Sequence, residues 1–337
     1  MKIVVTGGLG FIGSHTVVEL QNQGFEVVII DNLSNASAAV LDGIVSITGT
    51  KPQLETIDLK DKLSVAVFFQ KHNDIAGLIH FAASKAVGES VENPLLYYEN
   101  NINSLVYLLQ ELEKKSHPKL IFSSSCTVYG QAKKMPIAED APIQKALSPY
   151  GNTKQIGEEI ITDVCNLGNL KAILLRYFNP IGAHPTAKIG ELPIGTPQNL
   201  VPFVTQTAIG IRNELAIYGD DYPTADGSCV RDYIHVVDIA KAHVVAMQRL
   251  LTNQNIENVE VFNLGTGKGS SVFEVITSFE KVSQRKLKYQ IVERRLGDVV
   301  EAYADIQKAK NILGWQAVST LEEALASAWA WEQKIRS

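Results

Sequence analysis
The chain has 337 residues, enough for a large core and for somewhat more than one average domain. Hydrophobic residues make up 45% and charged residues 20%, and the net charge is −5 with no long basic run, which argues against nucleic-acid or anionic-membrane partners. Its three cysteines, Cys126, Cys165 and Cys229, are scattered without C-x-x-C spacing, so no disulfide framework or metal site is expected and the composition reads as a cytoplasmic α/β protein.

Residues 2–6 (K-I-V-V-T) are a short apolar run that reads as a buried parallel strand. Glycine follows too soon for a signal-peptide apolar region, and no apolar run approaches bilayer-spanning length. The stretch T-G-G-L-G-F-I-G then leads into helical spacing over 11–23. It contains Gly8, Gly10 and Gly13 as G-x-G-x-x-G, and Gly7, Gly10 and Gly13 as G-x-x-G-x-x-G. Between a strand and a helix, such glycines allow a tight turn and bring backbone N–H groups to a pyrophosphate. A second strand over 26–30 ends at Asp31, 18 residues past Gly13. An acid there accepts hydrogen bonds from an adenosine ribose and repels a 2′-phosphate, so NAD is favoured over NADP.

Strands near 53–57, 75–81, 119–124 and 171–176 alternate with helices near 61–72, 94–115 and 149–166. This alternation predicts a doubly wound parallel α/β sheet of six strands, a Rossmann arrangement. The run K-L-I-F-S-S-S puts Ser125 at the carboxyl end of a parallel strand, the edge where open α/β sheets bind ligands. In S-P-Y-G-N-T-K, Pro149 suits a first helical turn and sets Tyr150 and Lys154 on one face. A phenol titrates near pH 10, so the lysine and a bound nicotinamide cation are expected to depress it. Capping by Ser125 and an ordinary helix surface at Tyr150 and Lys154 are the plain readings. Their order after the glycine loop favours acid–base work.

After Arg176 the texture changes. Residues 177–200 are rich in Pro, Gly and Asn and read as a long functional loop. A strand at 215–218, a helix at 237–251, a strand at 259–264 and a helix near 319–335 follow, the last opening on the capping-box pattern S-T-L-E. We expect a nucleotide-binding domain over 1–176 and a smaller C-terminal α/β substrate lobe over 177–337, with room for the chain to cross back.

These motifs resemble the short-chain dehydrogenase/reductase superfamily, in its extended sugar-nucleotide branch. The longer blocks H-F-A-A-S-K-A-V-G-E-S, F-S-S-S-C-T-V-Y-G, L-R-Y-F-N-P-I-G-A-H-P, D-Y-P-T-A-D-G-S-C-V-R-D-Y-I-H-V and R-R-L-G-D are similar to the UDP-glucose 4-epimerase family. The likeness runs from residue 1 to about residue 315. It implies an isomerase that inverts UDP-hexoses at C4 through a transient 4-keto sugar, with NAD retained through turnover, and a homodimer.

By position, the resemblance implies Tyr150 as the acid–base group, Lys154 on the nicotinamide ribose, and Ser125 bridging the sugar hydroxyl to Tyr150. NAD contacts carry over to Gly7, Gly10, Phe11, Ile12, Gly13, Asp31, Asn32, Asn35, Asp58, Leu59, Phe81, Ala82, Lys85, Asn100 and Phe178. UDP-sugar contacts carry over to Asn179, Asn199, Leu200, Ala216, Ile217, Tyr218, Arg231, Tyr233, Arg295, Asp298 and Ala302. Guanidinium forks at Arg231 and Arg295 suit a diphosphate. Dimer pairing would use helices on one side of the nucleotide domain; the apolar spacing Leu95, Tyr98, Ile102, Leu105, Leu109 allows it, and core packing explains that spacing equally well.

Two rivals share the fold. Related sugar-nucleotide dehydratases carry an Asp-Glu pair where this chain has Cys126 and Thr127, neither able to act as a carboxylate. Non-catalytic NAD-binding regulators typically lose the Tyr/Lys pair, which is present here. Within the epimerases, a tyrosine near the sugar C2 confines the enzyme to plain hexoses, and a small residue admits N-acetylhexosamines. Ungapped alignment of Gly297-Asp298 and Ala304-Asp305 puts Ala302 there; a one-residue slip puts Tyr303 there instead. The expectation is that UDP-N-acetylglucosamine and its galacto epimer are also substrates.

Overall fold
The computed structural model describes residues 1–295 and 298–337; Leu296 and Gly297, within R-R-L-G-D, lie outside the described residues. Six short apolar strands, Lys2–Thr6 (β1), Glu26–Ile30 (β2), Gln53–Glu55 (β3), Ile75–His80 (β4), Lys119–Ser125 (β5) and Lys171–Tyr177 (β6), pair in parallel in the order β6-β5-β4-β1-β2-β3. The order reverses between β1 and β4, which opens a crevice at their carboxyl ends.

Alternation along the strands feeds two apolar layers. Ile3 and Val5 face Val17 and Leu20 of the helix Phe11–Asn22 (α1), with Ile44 of Ala39–Thr48 (α2). Val4 faces Phe68 of Lys62–Lys71 (α3) on the other side. Both faces are covered, as a parallel sheet requires.

A short helix, Val87–Glu92 (α4), precedes the helix predicted near 94–115, which is instead Pro94–Tyr98 (α5), a wide π turn over Glu99–Asn103, and Ser104–Leu112 (α6). Asn93 breaks the first junction: it precedes a proline and sits at φ −129°, ψ 61°, outside the helical region. At the π turn, the Asn101 side chain accepts from Ser84 N at 2.8 Å and donates to Ser84 O and Thr153 Oγ1, each at 3.0 Å. A turn of this kind re-aims side chains next to a site. The predicted apolar stripe divides accordingly, with Leu105 and Leu109 in the core and Leu95 80% exposed.

The helix Pro149–Asn166 (α7) begins as its sequence suggests. Ser148 accepts from Gly151 N at 3.1 Å, and Pro149 occupies the first turn, where its missing N–H costs nothing. Beyond β6 come Asn179–Ile181 (β7), Leu200–Ala208 (α8), Leu215–Tyr218 (β8), Val230–Arg231 (β9), Tyr233–His235 (β10), Val236–Leu251 (α9), Val259–Leu264 (β11), Ser270–Ser271 (β12), Val272–Ser283 (α10), Tyr289–Val292 (β13), Glu301–Ala302 (β14) and Leu321–Arg336 (α11).

Two of these elements return to the nucleotide domain. β11 pairs with β6 as a seventh strand of the sheet, one more than the alternation before residue 177 predicts. Ala242, Met247 and Leu250 of α9 join the layer beneath Ile3 and Val5. The second lobe has its own core, including Val204, Ile217, Val275, Phe279, Leu325 and Trp329. Its last helix is capped one residue later than the S-T-L-E reading: Thr320, not Ser319, exchanges bonds with Glu323. Among the described residues, no helix is long and apolar enough to cross a membrane.

Candidate active site
The glycine loop stands at the crevice between β1 and β4. Gly7 adopts φ +66°, and a Cβ there would sit 2.8 Å from Ala82 N. A Cβ on Gly13 would sit 2.2 Å from Gly7 O, so the start of α1 lies directly against the loop. This leaves the first N–H groups of α1, around Phe11 and Ile12, without a side-chain cap. Such a cradle fits a dinucleotide pyrophosphate.

At the end of β2, Asp31 is buried and accepts from Leu9 N at 3.1 Å and Leu33 N at 3.0 Å. Burial raises its pKa and those two N–H groups lower it. Asn32 and Asn35 are exposed beside it. Asp58 and Leu59 follow β3; Asp58 accepts from Lys60 N at 2.9 Å and Leu59 is buried. Phe81 and Ala82 follow β4, tied to Thr6 by N–H bonds of 3.1 and 3.3 Å. Asn100, on the π turn, donates to Ser84 Oγ at 3.1 Å. These residues ring the carboxyl edge of the sheet, which fits an adenosine ribose at Asp31 and a nicotinamide end toward β4 and β5.

Ser125 ends β5 and accepts from Thr127 N at 3.2 Å, so its plain capping role is real and coexists with its place at the edge. The Tyr150 phenol is pushed up to about 12, chiefly by burial, while a hydrogen bond with Ser125 pulls it down. Lys154 is buried; its Nζ donates to Ser123 O at 2.7 Å and lies 5.9 Å from the centre of the Tyr150 ring. Burial lowers its pKa to about 8. In the chain alone burial dominates the phenol, and the Lys154 ammonium is bonded to the strand rather than to the tyrosine.

The second lobe presents two arginines to the same cleft. Arg231, on β9, is 3.8 Å from Asp298, and Arg295 donates to Asp298 Oδ2 at 3.0 Å. Arg295 also stacks 4.6 Å from the Tyr218 ring centre. One carboxylate thus aligns two guanidinium groups and leaves net positive charge for an anionic ligand. Ala216 and Tyr218 lie on β8, as does Ile217, which is buried in the lobe core and has only its main chain to offer. Tyr233 is likewise buried, which drives its phenol pKa upward. Asn179 N donates to Asp232 O at 2.9 Å. Asn199 starts α8 beside Leu200 without capping it; its amide donates to Glu191 at 2.6 Å, and Glu191 is 3.5 Å from Lys85.

Ala302 pairs with Arg231 across β14 and β9 and is buried with Phe178, Val128 and Cys126. Tyr303 is directed elsewhere: a Cβ on Gly269 would lie 3.1 Å from its ring. Tyr303 therefore does not share the surroundings of Ala302. Cys126 is pushed up to about 12 by burial, and Thr127 Oγ1 is buried without a partner among the described residues.

Sequence reasoning missed Asp232. Its carboxylate accepts from Thr266 N and Oγ1, Gly267 N and Ala304 N, which fastens β14 beside β11. A buried acid between Arg231 and Tyr233 in R-D-Y-I-H was the available signal. Asn101 was missed for want of any signal beyond its neighbour Asn100.

A seven-stranded Rossmann sheet with this loop and a Ser/Tyr/Lys edge defines a dinucleotide-dependent enzyme of the short-chain dehydrogenase/reductase type. The model for the GDP-mannose 4,6 dehydratase family matches residues 4–328. A UDP-glucose 4-epimerase of Bacillus subtilis is 49% identical over 98% of this chain and 97% of its own. The crystal structure of a UDP-glucose 4-epimerase from Stenotrophomonas maltophila, with bound NAD and formylated UDP-arabinopyranose, has a TM-score of 0.96 at 45% identity, covering 100% of this chain and 99% of that one. That of the Bifidobacterium longum enzyme, in complex with NAD+ and UDP, has a TM-score of 0.94 at 45% identity, covering 99% and 98%. The chain belongs to the UDP-glucose 4-epimerase family.

Proposed function
We infer that the chain catalyses NAD-dependent, reversible 4-epimerisation of UDP-hexoses, interconverting UDP-glucose and UDP-galactose. The observation that supports this is the grouping of Ser125, Tyr150 and Lys154 at the end of β5, with Cys126 beside Ser125 acting on both Tyr150 and Arg231. Cys126 and Thr127 stand where dehydration would need carboxylates, and neither can exchange a proton at neutral pH.

When bound, NAD+ supplies a hydride acceptor and donor for the sugar C4 and a positive charge beside the phenol. Tyr150 exchanges the proton of the 4-hydroxyl, and Ser125, whose hydroxyl lowers the pKa of that phenol, orients the exchange. Lys154, fixed on the strand, holds the nicotinamide ribose. Arg231 and Arg295 hold the diphosphate, so binding energy rests on UDP and the 4-keto hexose is free to present its other face. Incubating the purified protein with UDP-galactose tests this: UDP-glucose should form without stoichiometric nicotinamide consumption. A 4-keto-6-deoxy product, or no turnover, would contradict it.

We further propose that N-acetylated UDP-hexoses are accepted, since the small side chain of Ala302 stands beside Phe178 and the Tyr303 ring packs at Gly269 instead. We also propose that the protein works in the cytoplasm as a homodimer. Val91 and Leu95, 61% and 80% exposed on α4 and α5, support pairing through that side of the nucleotide domain. Sedimentation at a mass of one chain would contradict the dimer.

A further inference from the structure
Below Tyr150 and Lys154, the same face of α7 continues to Glu158, and a buried fork meets it. Arg176 on β6 donates Nε to Oε1 at 2.9 Å and Nη2 to Oε2 at 2.5 Å, and Ser124 on β5 donates to Oε1. Nη1 of Arg176 donates to the Tyr129 hydroxyl at 3.0 Å and to Glu139 O at 3.3 Å. Tyr129 in turn donates to Asn263 on β11 at 2.7 Å. Glu158 and Arg176 are 8% and 6% exposed.

We propose that Glu158 is a positioning residue for epimerisation: its carboxylate, gripped by Arg176 and Ser124, fixes α7 in register on the sheet and keeps the Lys154 ammonium charged. The proposal rests on the function inferred above.

Residues 150, 154 and 158 lie at four-residue steps, so they share one helical face. Lys154 is 4% exposed, and losing solvent disfavours its charge. Tyr150 and Glu158 on α7 and His80 on β4 act on it directly. Tyr177 on β6 is bonded to Ser123, whose main-chain oxygen Lys154 holds, Arg176 and Tyr129 belong to the Glu158 fork, and Cys126 acts on Tyr150. Tyr97, bonded to Glu89, lies on α5. His80 is held neutral by burial, and burial raises Cys126 and the tyrosines. Glu158 is the group whose charge opposes the desolvation of Lys154. Removing that charge leaves Arg176 as an unpaired buried cation near Lys154, which adds repulsion.

The test compares Glu158→Gln, Glu158→Asp and Ser124→Ala with the unaltered holoenzyme, following UDP-galactose turnover from about pH 6 to about pH 10. In Glu158→Gln the alkaline limb of kcat should move down by about one pH unit or more, whether or not the loosened register of α7 also lowers the rate uniformly. Glu158→Asp and Ser124→Ala should keep the original limb. An unmoved limb in Glu158→Gln overturns the proposal, even if the rate falls uniformly. Should circular dichroism show that variant unfolded, Glu158→Gln with Arg176→Met is compared with Arg176→Met alone: the limb of the double variant should lie lower by about one pH unit, and equal limbs overturn the proposal. Absence of turnover in the unaltered protein would instead overturn the underlying function.

Discussion
The Lys154 ammonium is bonded to the main-chain oxygen of Ser123 at 2.7 Å, the residue two before Ser125 on the same strand. The lysine therefore braces the strand edge from inside the core, and its charge there is costly. Its pKa of about 8 lies below the ordinary 10.5, so the folded chain binds this proton less tightly than the unfolded chain. That penalty is full below about pH 8 and fades as pH rises toward 10.5. Lys154→Met should inactivate the enzyme yet stabilise the cofactor-free fold at neutral pH by on the order of 3 kcal/mol, less the lost hydrogen bond. Denaturant midpoints for the two proteins should converge above about pH 10.5.

Tyr150 carries the proton transfer, so Tyr150→Phe should lower kcat by roughly 10²- to 10⁴-fold and leave KM nearly unchanged. Steady-state rates with UDP-galactose measure both. In the cofactor-free protein the phenol, at about 12, should stay protonated through neutral pH, and difference ultraviolet titration against Tyr150→Phe reads that directly.

Arg231 is three-quarters or more enclosed and Arg295 half open, with side chains 15% and 53% exposed. Arg231→Ala should raise KM for UDP-sugars by roughly 10- to 100-fold, the loss of a charge-assisted hydrogen bond. Arg295→Ala should raise it less, because solvent screens that charge. Asp298→Asn should raise KM for both epimers equally, since it frees both guanidinium groups. Initial rates across substrate concentration separate these effects from kcat.

Ala302→Tyr should abolish turnover of UDP-N-acetylglucosamine and leave UDP-galactose turnover within severalfold of the parent. Parallel assays of product epimers decide it. Failure of the parent protein to act on the acetylated sugar would remove the basis for the prediction.

Much of this site is legible in the chain because its chemistry is local. A strand, a glycine turn and a helix are contiguous, so Gly7, Gly13 and Asp31 announce a dinucleotide cradle, and Tyr150 and Lys154 declare a shared face. What the chain hides is long-range. Spacing cannot show that Val259–Leu264 completes the sheet, because pairing with β6 is decided across some eighty residues. Nor can it show that Asp298 aligns Arg231, or that burial overrides the expected lowering of the Tyr150 pKa. The π turn escaped for a related reason: it is set by Asn101 reaching Ser84 and Thr153, not by helix propensity.

The central claim is that hydrogen leaves the sugar C4 and returns to the same carbon within one protein molecule. Turnover of UDP-galactose deuterated at C4, in ordinary water without added nicotinamide, tests it most directly. Deuterium retained at C4 of the UDP-glucose product is the predicted result. Washout of the label into solvent, or its appearance at another carbon, would contradict the account.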